Sequence, residues 1–324
     1  MLIVPFLMIA IHFWSLETGN LSLPKEVMTW GITKVNIQSI PTPPDNPLTD
    51  EKIALGRKLF YDPVLSGTNT TSCATCHNPR KGLTDCAPLS TGDNGVIRKR
   101  RSPALNNLAW NDHVFWDGRA ELLEDQVLAD KSMDQVQATW PEELKAAGYE
   151  PLFQKVFGKD SALTAKNVAK AIASYERTLI SHNSPFDQYT AGDSAALSEQ
   201  QKRGLLLFST KANCIKCHSG PNFTDGGFHD IGLPDSDIGR FQHVKIPTMQ
   251  HAFKTPGLRD VANRSFFMHD GSSSSLEDII ALYNEGGRAK DRKVDPEIKP
   301  LGLTKAESED LVAFLKALSG KVNY

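Results

Sequence analysis

The pentapeptide C-x-x-C-H occurs twice in this chain, as Cys73-Ala74-Thr75-Cys76-His77 and as Cys214-Ile215-Lys216-Cys217-His218, with the two histidines 141 residues apart. From five cysteines and nine histidines in 324 residues, chance would supply about 0.002 such matches. The spacing has a mechanical reason. Two thiols three residues apart can each form a thioether to one of the two vinyl carbons on one edge of a haem. The adjacent histidine then swings beneath the ring to bind iron. Zinc would need two further ligands at comparable spacing near each copy. A redox dithiol would follow a strand at a helix N-terminus and would not need the histidine. The pattern therefore reads as c-type haem first, zinc second and dithiol third. The fifth cysteine, Cys86, reads as a small free thiol with no assigned role.

The surroundings repeat as well. Gly56-Arg57-Lys58-Leu59-Phe60 precedes the first motif and Gly204-Leu205-Leu206-Leu207-Phe208 the second. A helix start lies before each, at Thr49-Asp50-Glu51 and at the capping box Ser198-x-x-Gln201. Each unit is thus a helix, a loop and then C-x-x-C-H, the first loop being longer by 61–72. Helical spacing recurs at Val168, Ile172, Tyr175 and Leu179, and at Leu311, Phe314, Leu315 and Leu318 behind a Thr304-x-x-Glu307 box. Another helix opens at Ser275-x-x-Asp278, carries Ile279, Ile280 and Tyr283, and stops at Gly286-Gly287. No sustained period-2 pattern is present. The fold class is mostly α: two cytochrome c-like domains, each carrying one haem, joined by long irregular connections at 78–113 and 219–272. The domains are placed at 49–192 and 193–324, with the boundary in the small, polar stretch 190–197. Residues 21–48 form an extended arm that is Pro-rich from 36 onward.

Length suits two domains. The balance of 36 Lys+Arg against 38 Asp+Glu gives no electrostatic reason for nucleic-acid binding. The chain has no uncharged apolar run near 20 residues, which excludes a polytopic membrane protein. Residues 2–14 are apolar and uncharged, the length of a signal-peptide core, and 1–20 read as a signal. No Lys or Arg precedes Lys25, so the competing reading is an apolar tail. Covalent haem attachment happens outside the cytoplasm, and a periplasmic address is expected.

With its two motifs so spaced, the chain resembles the bacterial di-haem cytochrome c peroxidases. The resemblance is carried by Leu55-Gly56-x-x-Leu59-Phe60-x-Asp62-x-x-Leu65-Ser66, Phe115-Trp116-Asp117-Gly118-Arg119-Ala120, Thr255-Pro256-x-Leu258-Arg259 and His269-Asp270-Gly271-Ser272, and runs from about 45 to 320. It implies two haem c groups. His77 would be the proximal ligand of an N-terminal haem that reacts with hydrogen peroxide, and His218 that of a C-terminal haem that relays electrons. Trp116 would lie between them as a relay, and Arg259 near a haem propionate. The partners implied are peroxide and a protein electron donor: a small cytochrome, a cupredoxin, or a partner-protein side chain as in the MauG-like branch.

Three departures bear on the subtype. Where many family members carry a Met as second axial ligand, fourteen residues after His269, this chain has Tyr283, as MauG-like members do. A phenolate favours Fe(III), a thioether Fe(II). Met268 and Met249 are the rival ligands. Secondly, no His occurs from Asn78 to Asp112 to cap the first haem, which should be open to peroxide without prior reduction. Thirdly, the family's acid/base Glu, ten residues after a Gln that is here Gln126, is replaced by Val136. Asp134 or Asp130 is then the candidate to move a proton. Without such a group peroxide cleavage should slow roughly 10²–10⁴-fold. The resemblance also implies a calcium between the haems, yet Arg101 stands where an Asn ligand is expected. An arginine cannot ligate calcium, so the ion is absent or Arg101 replaces its charge. Two functions fit: a MauG-like peroxidase, or a di-haem electron carrier that has lost peroxide chemistry.

Overall fold

The computed structural model describes residues 22–130, 136–159 and 162–322. The expected signal and Asp134 lie outside the described residues. The helices, in chain order, are α1 (Asp50–Tyr61), α2 (Cys73–Cys76), α3 (Leu123–Ala129), α4 (Trp140–Ala146), α5 (Glu150–Phe157), α6 (Ala165–Glu176), α7 (Pro185–Thr190), α8 (Glu199–Ser209), α9 (Phe241–Val244), α10 (Leu276–Glu285) and α11 (Lys305–Lys316). Thr49, Thr164, Ser198, Ser275 and Thr304 each cap a helix with a side-chain oxygen.

Two helix pairs carry two cores. In the first, α1 packs on α6, burying Leu55, Leu59, Phe60, Val168, Ile172 and Tyr175. In the second, α8 packs on α11, burying Leu205, Phe208, Leu311 and Phe314. Both crossings depend on a glycine. A Cβ added at Gly56 would lie 1.9 Å from the Ala171 carbonyl oxygen, and one at Gly204 would lie 2.0 Å from that of Asp310. Only a bare Cα lets the axes approach this closely. The second core also draws in Val27 and Trp30 from the N-terminal arm and Phe186 from α7. It thus takes residues from before position 193.

Irregular chain dominates the rest, tied by two short ribbons. β1 (Ser181–His182) pairs antiparallel with β4 (Lys321–Val322), Ser181 facing Val322. β2 (Phe228–His229) pairs antiparallel with β3 (Phe253–Lys254), Phe228 facing Lys254.

The internal repeat extends well past the haem motifs. Arg101-Ser102-Pro103-x-Leu105 corresponds to Lys254-Thr255-Pro256-x-Leu258. Each is followed by a left-handed residue, Asn107 (φ 58°) or Asp260 (φ 61°). The Asn107 amide donates to the Leu179 carbonyl at 2.9 Å, and that of Asp260 to Leu318 at 3.1 Å. Next comes a closed loop, bridged Val114 to Ala120 in one half and Phe267 to Ser273 in the other. Phe115 (φ 66°) and Met268 (φ 65°) turn it, with Gly118 and Gly271 also at positive φ. Finally α3 opens on Leu123-Glu124-Asp125 and α10 on Leu276-Glu277-Asp278. By this register Trp116 corresponds to His269, Arg101 to Lys254, and Asp130 to Tyr283.

Candidate functional site

Each C-x-x-C-H motif forms a single tight turn. The first is α2, with His77 as its C-cap; the second is a 3-10 turn, Cys214–Lys216. The His77 backbone amide donates to the Cys73 carbonyl at 2.9 Å and that of His218 to the Cys214 carbonyl at 2.8 Å, closing each turn on its first cysteine. His77 Nδ1 lies 3.2 Å from the Leu83 carbonyl, and His218 Nδ1 lies 2.9 Å from that of Phe223. A carbonyl only accepts, so Nδ1 carries the proton in both rings and Nε2 keeps its lone pair. The acceptors are aimed by strain. Leu83 (φ 57°) and Phe223 (φ 53°) are fully buried bulky residues in the left-handed region. Sequence reasoning missed this pair, whose signal is only a large apolar residue five or six positions after each histidine.

Burial holds both imidazoles below the usual histidine range, and hence neutral at pH 7, the state that binds a metal. It also pushes the thiols up, Cys76 to about 11 and Cys214 to about 12, with Cys73 well above its ordinary value. Such thiols stay protonated at neutral pH and make poor redox dithiols. A buried, neutral C-x-x-C-H turn with a free Nε2 fits a haem. Beside the second motif, Cys217, Asp225 and His229 also come within ligating reach of one another. His229 already bridges Asp225 at 3.0 Å and Asp295 at 2.7 Å.

A largely apolar cavity of about 240 Å³ opens at the second motif, lined by Cys214, Cys217, His218 and, from α10, Tyr283. The Tyr283 hydroxyl has no hydrogen-bond partner among the described residues, and burial raises the phenol well above its ordinary pKa. A ligand able to replace the phenol proton is what such a group lacks. Of the rival ligands, Met268 also lines the cavity, whereas Met249 does not.

Trp116 lines the same cavity. Its Nε1 donates to the Arg101 carbonyl at 2.8 Å, and its ring meets that of His269 edge-on at 6.3 Å between centroids. His269 in turn stacks on Phe253 at 3.5 Å. The aspartate that follows Trp116 locks the loop. Asp117 is buried and binds Arg100 (2.5 Å), Arg119 (3.1 Å) and His243 (2.9 Å), and these partners hold its carboxyl down at about 2 against the cost of burial. Arg259 borders the cavity with its donors already engaged. Nη1 and Nη2 bind the Asp187 carboxylate at 3.0 and 2.9 Å, Nε binds Pro221 O at 2.6 Å, and Nη2 also binds Trp30 O at 3.0 Å. It ties α7 and the arm to the site.

In the first half, Gln126 sits on α3 with its Oε1 buried and without a partner. Asp130, the C-cap of α3, is close enough to act electrostatically on Cys73, Cys76 and His77. Glu176, at the end of α6, is a further finding. Its carboxyl is buried, Oε2 has no partner, and burial, helped by Asp130, raises its pKa to about 8. The sequence showed it only as a polar residue in an apolar helix.

Residues 50–195 match the family model described as di-haem cytochrome c peroxidase. The chain is 44% identical over 292 residues to the methylamine utilization protein MauG of Methylorubrum extorquens, covering 88% of this chain and 82% of that protein. It is 40% identical over 328 residues to the protein of the same name from Methylophilus methylotrophus, covering 98% and 94%. Among solved structures, that of a MauG-like protein associated with microbial copper homeostasis superposes with a TM-score of 0.81 at 30% identity, covering 94% and 96% of the two chains.

Proposed function

The chain belongs to the di-haem cytochrome c peroxidase family, and from that premise we propose that it is a periplasmic enzyme of the MauG-like branch. In this reading it reduces hydrogen peroxide with electrons drawn from a protein, either a small redox carrier or a side chain of a partner protein. Its two units, 49–192 and 193–324, each hold one haem by thioethers, from Cys73 and Cys76 and from Cys214 and Cys217. Bound haem supplies the iron for peroxide reduction in the first unit and for electron storage in the second. The observation that carries the reading is Tyr283: a phenol with no hydrogen-bond partner among the described residues, sharing a cavity wall with His218. The names of the two MauG relatives point the same way.

The chain's own residues divide the work. His77 and His218 hold a proton at Nδ1 and offer Nε2 to iron. Tyr283 would hold the iron of the second haem as a phenolate, which favours the ferric state. Trp116, in contact with the chain of both halves, relays electrons between them. Gln126, on α3, would offer its side-chain amide to the first site. Peroxide cleavage needs a carboxylate to carry a proton from the inner to the outer oxygen. Asp130 is that group in our reading, because it holds in the first half the register that Tyr283 holds in the second. Asp134 is the other candidate.

An EPR spectrum of the ferric protein, followed by one equivalent of peroxide, tests the proposal. A high-spin signal beside a low-spin one, with the high-spin signal consumed, is expected. Two low-spin signals indifferent to peroxide would make the chain an electron carrier instead. If Trp116→Phe leaves electron exchange between the haems unchanged, Trp116 is not on the path.

A further inference from the structure

Three cations stand in the wall of the cavity shared by the two halves: Arg101 and Lys254, both buried, and Arg264, half-buried with its Nε fully covered. None has a carboxylate within ion-pairing distance among the described residues. Arg101 Nη2 donates to Thr84 Oγ1 at 2.7 Å and Asp85 O at 2.9 Å, while its Nε is buried without an acceptor. Lys254 Nζ has only the Thr255 carbonyl, at 3.2 Å. Arg264 Nη2 donates to the Gly257 and Arg259 carbonyls at 2.9 and 2.8 Å, and its Nε too lacks an acceptor. The carboxylates that act on them through space have other partners: Asp85, near Arg101, accepts from the Ala87 amide at 2.9 Å, Asp225 pairs with His229, and Asp260 with Asn263. Desolvation lowers all three, Lys254 to about 8 and the arginines to about 10. Buried charges are ordinarily paired, and three cations in one wall, two of them buried and none with a carboxylate partner among the described residues, call for anions.

Their placement is not accidental. Arg101 and Lys254 hold the same register in the two halves, each two residues before the proline of its x-Pro-x-Leu segment. Each reaches across to the other half's loop: the Arg101 amide donates to the His269 carbonyl at 2.7 Å, and the Lys254 amide to that of Trp116 at 2.8 Å. These reciprocal bonds set one cation from each half beside the Trp116–His269 contact.

We propose that Arg101 and Lys254 form a paired cation site, with Arg264 as its third member, that receives the propionate carboxylates of the haems. The proposal rests on reading the two motifs as haem attachment sites. A haem held to the C-x-x-C-H turn by its vinyl edge would bring two carboxylates to this largely apolar cavity, where they would balance the cations. The protein then supplies the positive charge between the halves, and no divalent cation is required there.

The test uses the haem-loaded protein. Alkaline pyridine spectra first confirm two covalent haems; their absence would refute the attachment reading rather than this proposal. Midpoint potentials are then compared for wild type, Arg101→Met and Lys254→Met. Removing a cation stabilises the ferric state. Each variant should therefore lower the equilibrium constant for reduction of a haem about tenfold, a drop of about 59 mV for one electron. Resonance Raman bands of propionate bending should shift with it, and Lys254→Arg should restore both. Arg101→Gln and Lys254→Gln carry the test if the methionine variants do not accumulate. Unchanged potentials and unchanged propionate bands would overturn the proposal. A wild-type potential that follows added phosphate or chloride would also overturn it, by assigning the cations to a mobile anion. So would one that falls on chelation with EDTA, by assigning the carboxylates to a divalent ion.

Discussion

The two halves of the molecule are built on one plan and differ at the position that decides what each can do. Both cross their main helices at a glycine, both turn a C-x-x-C-H motif back over itself, and both fix the imidazole through a carbonyl on a left-handed residue. Both end a closed D-G loop in a helix that begins Leu-Glu-Asp. Fourteen residues beyond the aromatic of that loop, the C-terminal half places Tyr283 in the cavity and the N-terminal half places Asp130 near its motif. A phenol can replace water as an iron ligand, whereas a short carboxylate at a helix end serves better to move a proton. On the function proposed above, divergence at this one register would make one copy of the repeated scaffold the reactive site and the other the storage site.

The largest effect should come from breaking that asymmetry on the reactive side. Asp130→Asn should slow peroxide consumption by roughly 10²–10⁴-fold while leaving the spectrum of the second haem unchanged, as followed by stopped-flow absorbance. If the rate does not change, the proton is carried elsewhere and Asp134 becomes the test.

Glu176 marks a second difference, since the register that equates Leu179 with Leu318 sets this buried acid against the buried Leu315 of α11. Its folded pKa of about 8 lies above the ordinary 4.5, so between these values the folded protein binds more protons than the unfolded chain. Stability must then fall as pH rises, by about 1.4 kcal/mol per unit from this group. Denaturant unfolding at pH 5 and pH 8 should show the loss in wild type, and Glu176→Gln should flatten it. An equal slope in the variant would mean that Glu176 is ionised in the native state.

The shared crossings predict symmetry instead. Gly56→Ala and Gly204→Ala each force a Cβ onto a backbone carbonyl and should each destabilise by about 1–3 kcal/mol, the usual range for overpacking. Each should disturb mainly the haem of its own half, read by circular dichroism in the Soret region. Disturbance of both haems by either variant would show that the halves are not separable.

The gentlest probe is Tyr283→Phe, which should leave peroxide binding at the first haem intact. Loss of the phenolate should raise the midpoint potential of the second haem and change its charge-transfer absorption. An unmoved spectrum would give the ligand role to Met268.

How much of this was legible in the chain follows from the range of each interaction. The haem motifs, the glycine-bearing helices and their caps are local patterns of four to twelve residues, so spacing and periodicity exposed them. Trp116, His218 and Tyr283 could be singled out for the same reason, each lying in a recognisable short segment. The carbonyls that orient the imidazoles were not visible, because left-handed Leu83 and Phe223 are held there by tertiary packing against local preference. The commitment of the Arg259 guanidinium to Asp187, 72 residues away, was equally hidden.

The sequence by itself therefore determined the cofactor class, the mostly helical fold and the duplication, all of which rest on short-range chemistry. Only the tertiary structure could reveal that Arg101 is buried and matched by Lys254 across the molecule. It alone related Asp130 to Tyr283 by register. Burial and long-range pairing decide whether a charge is a solvated ornament or part of a site, and neither is written in the neighbours of a residue.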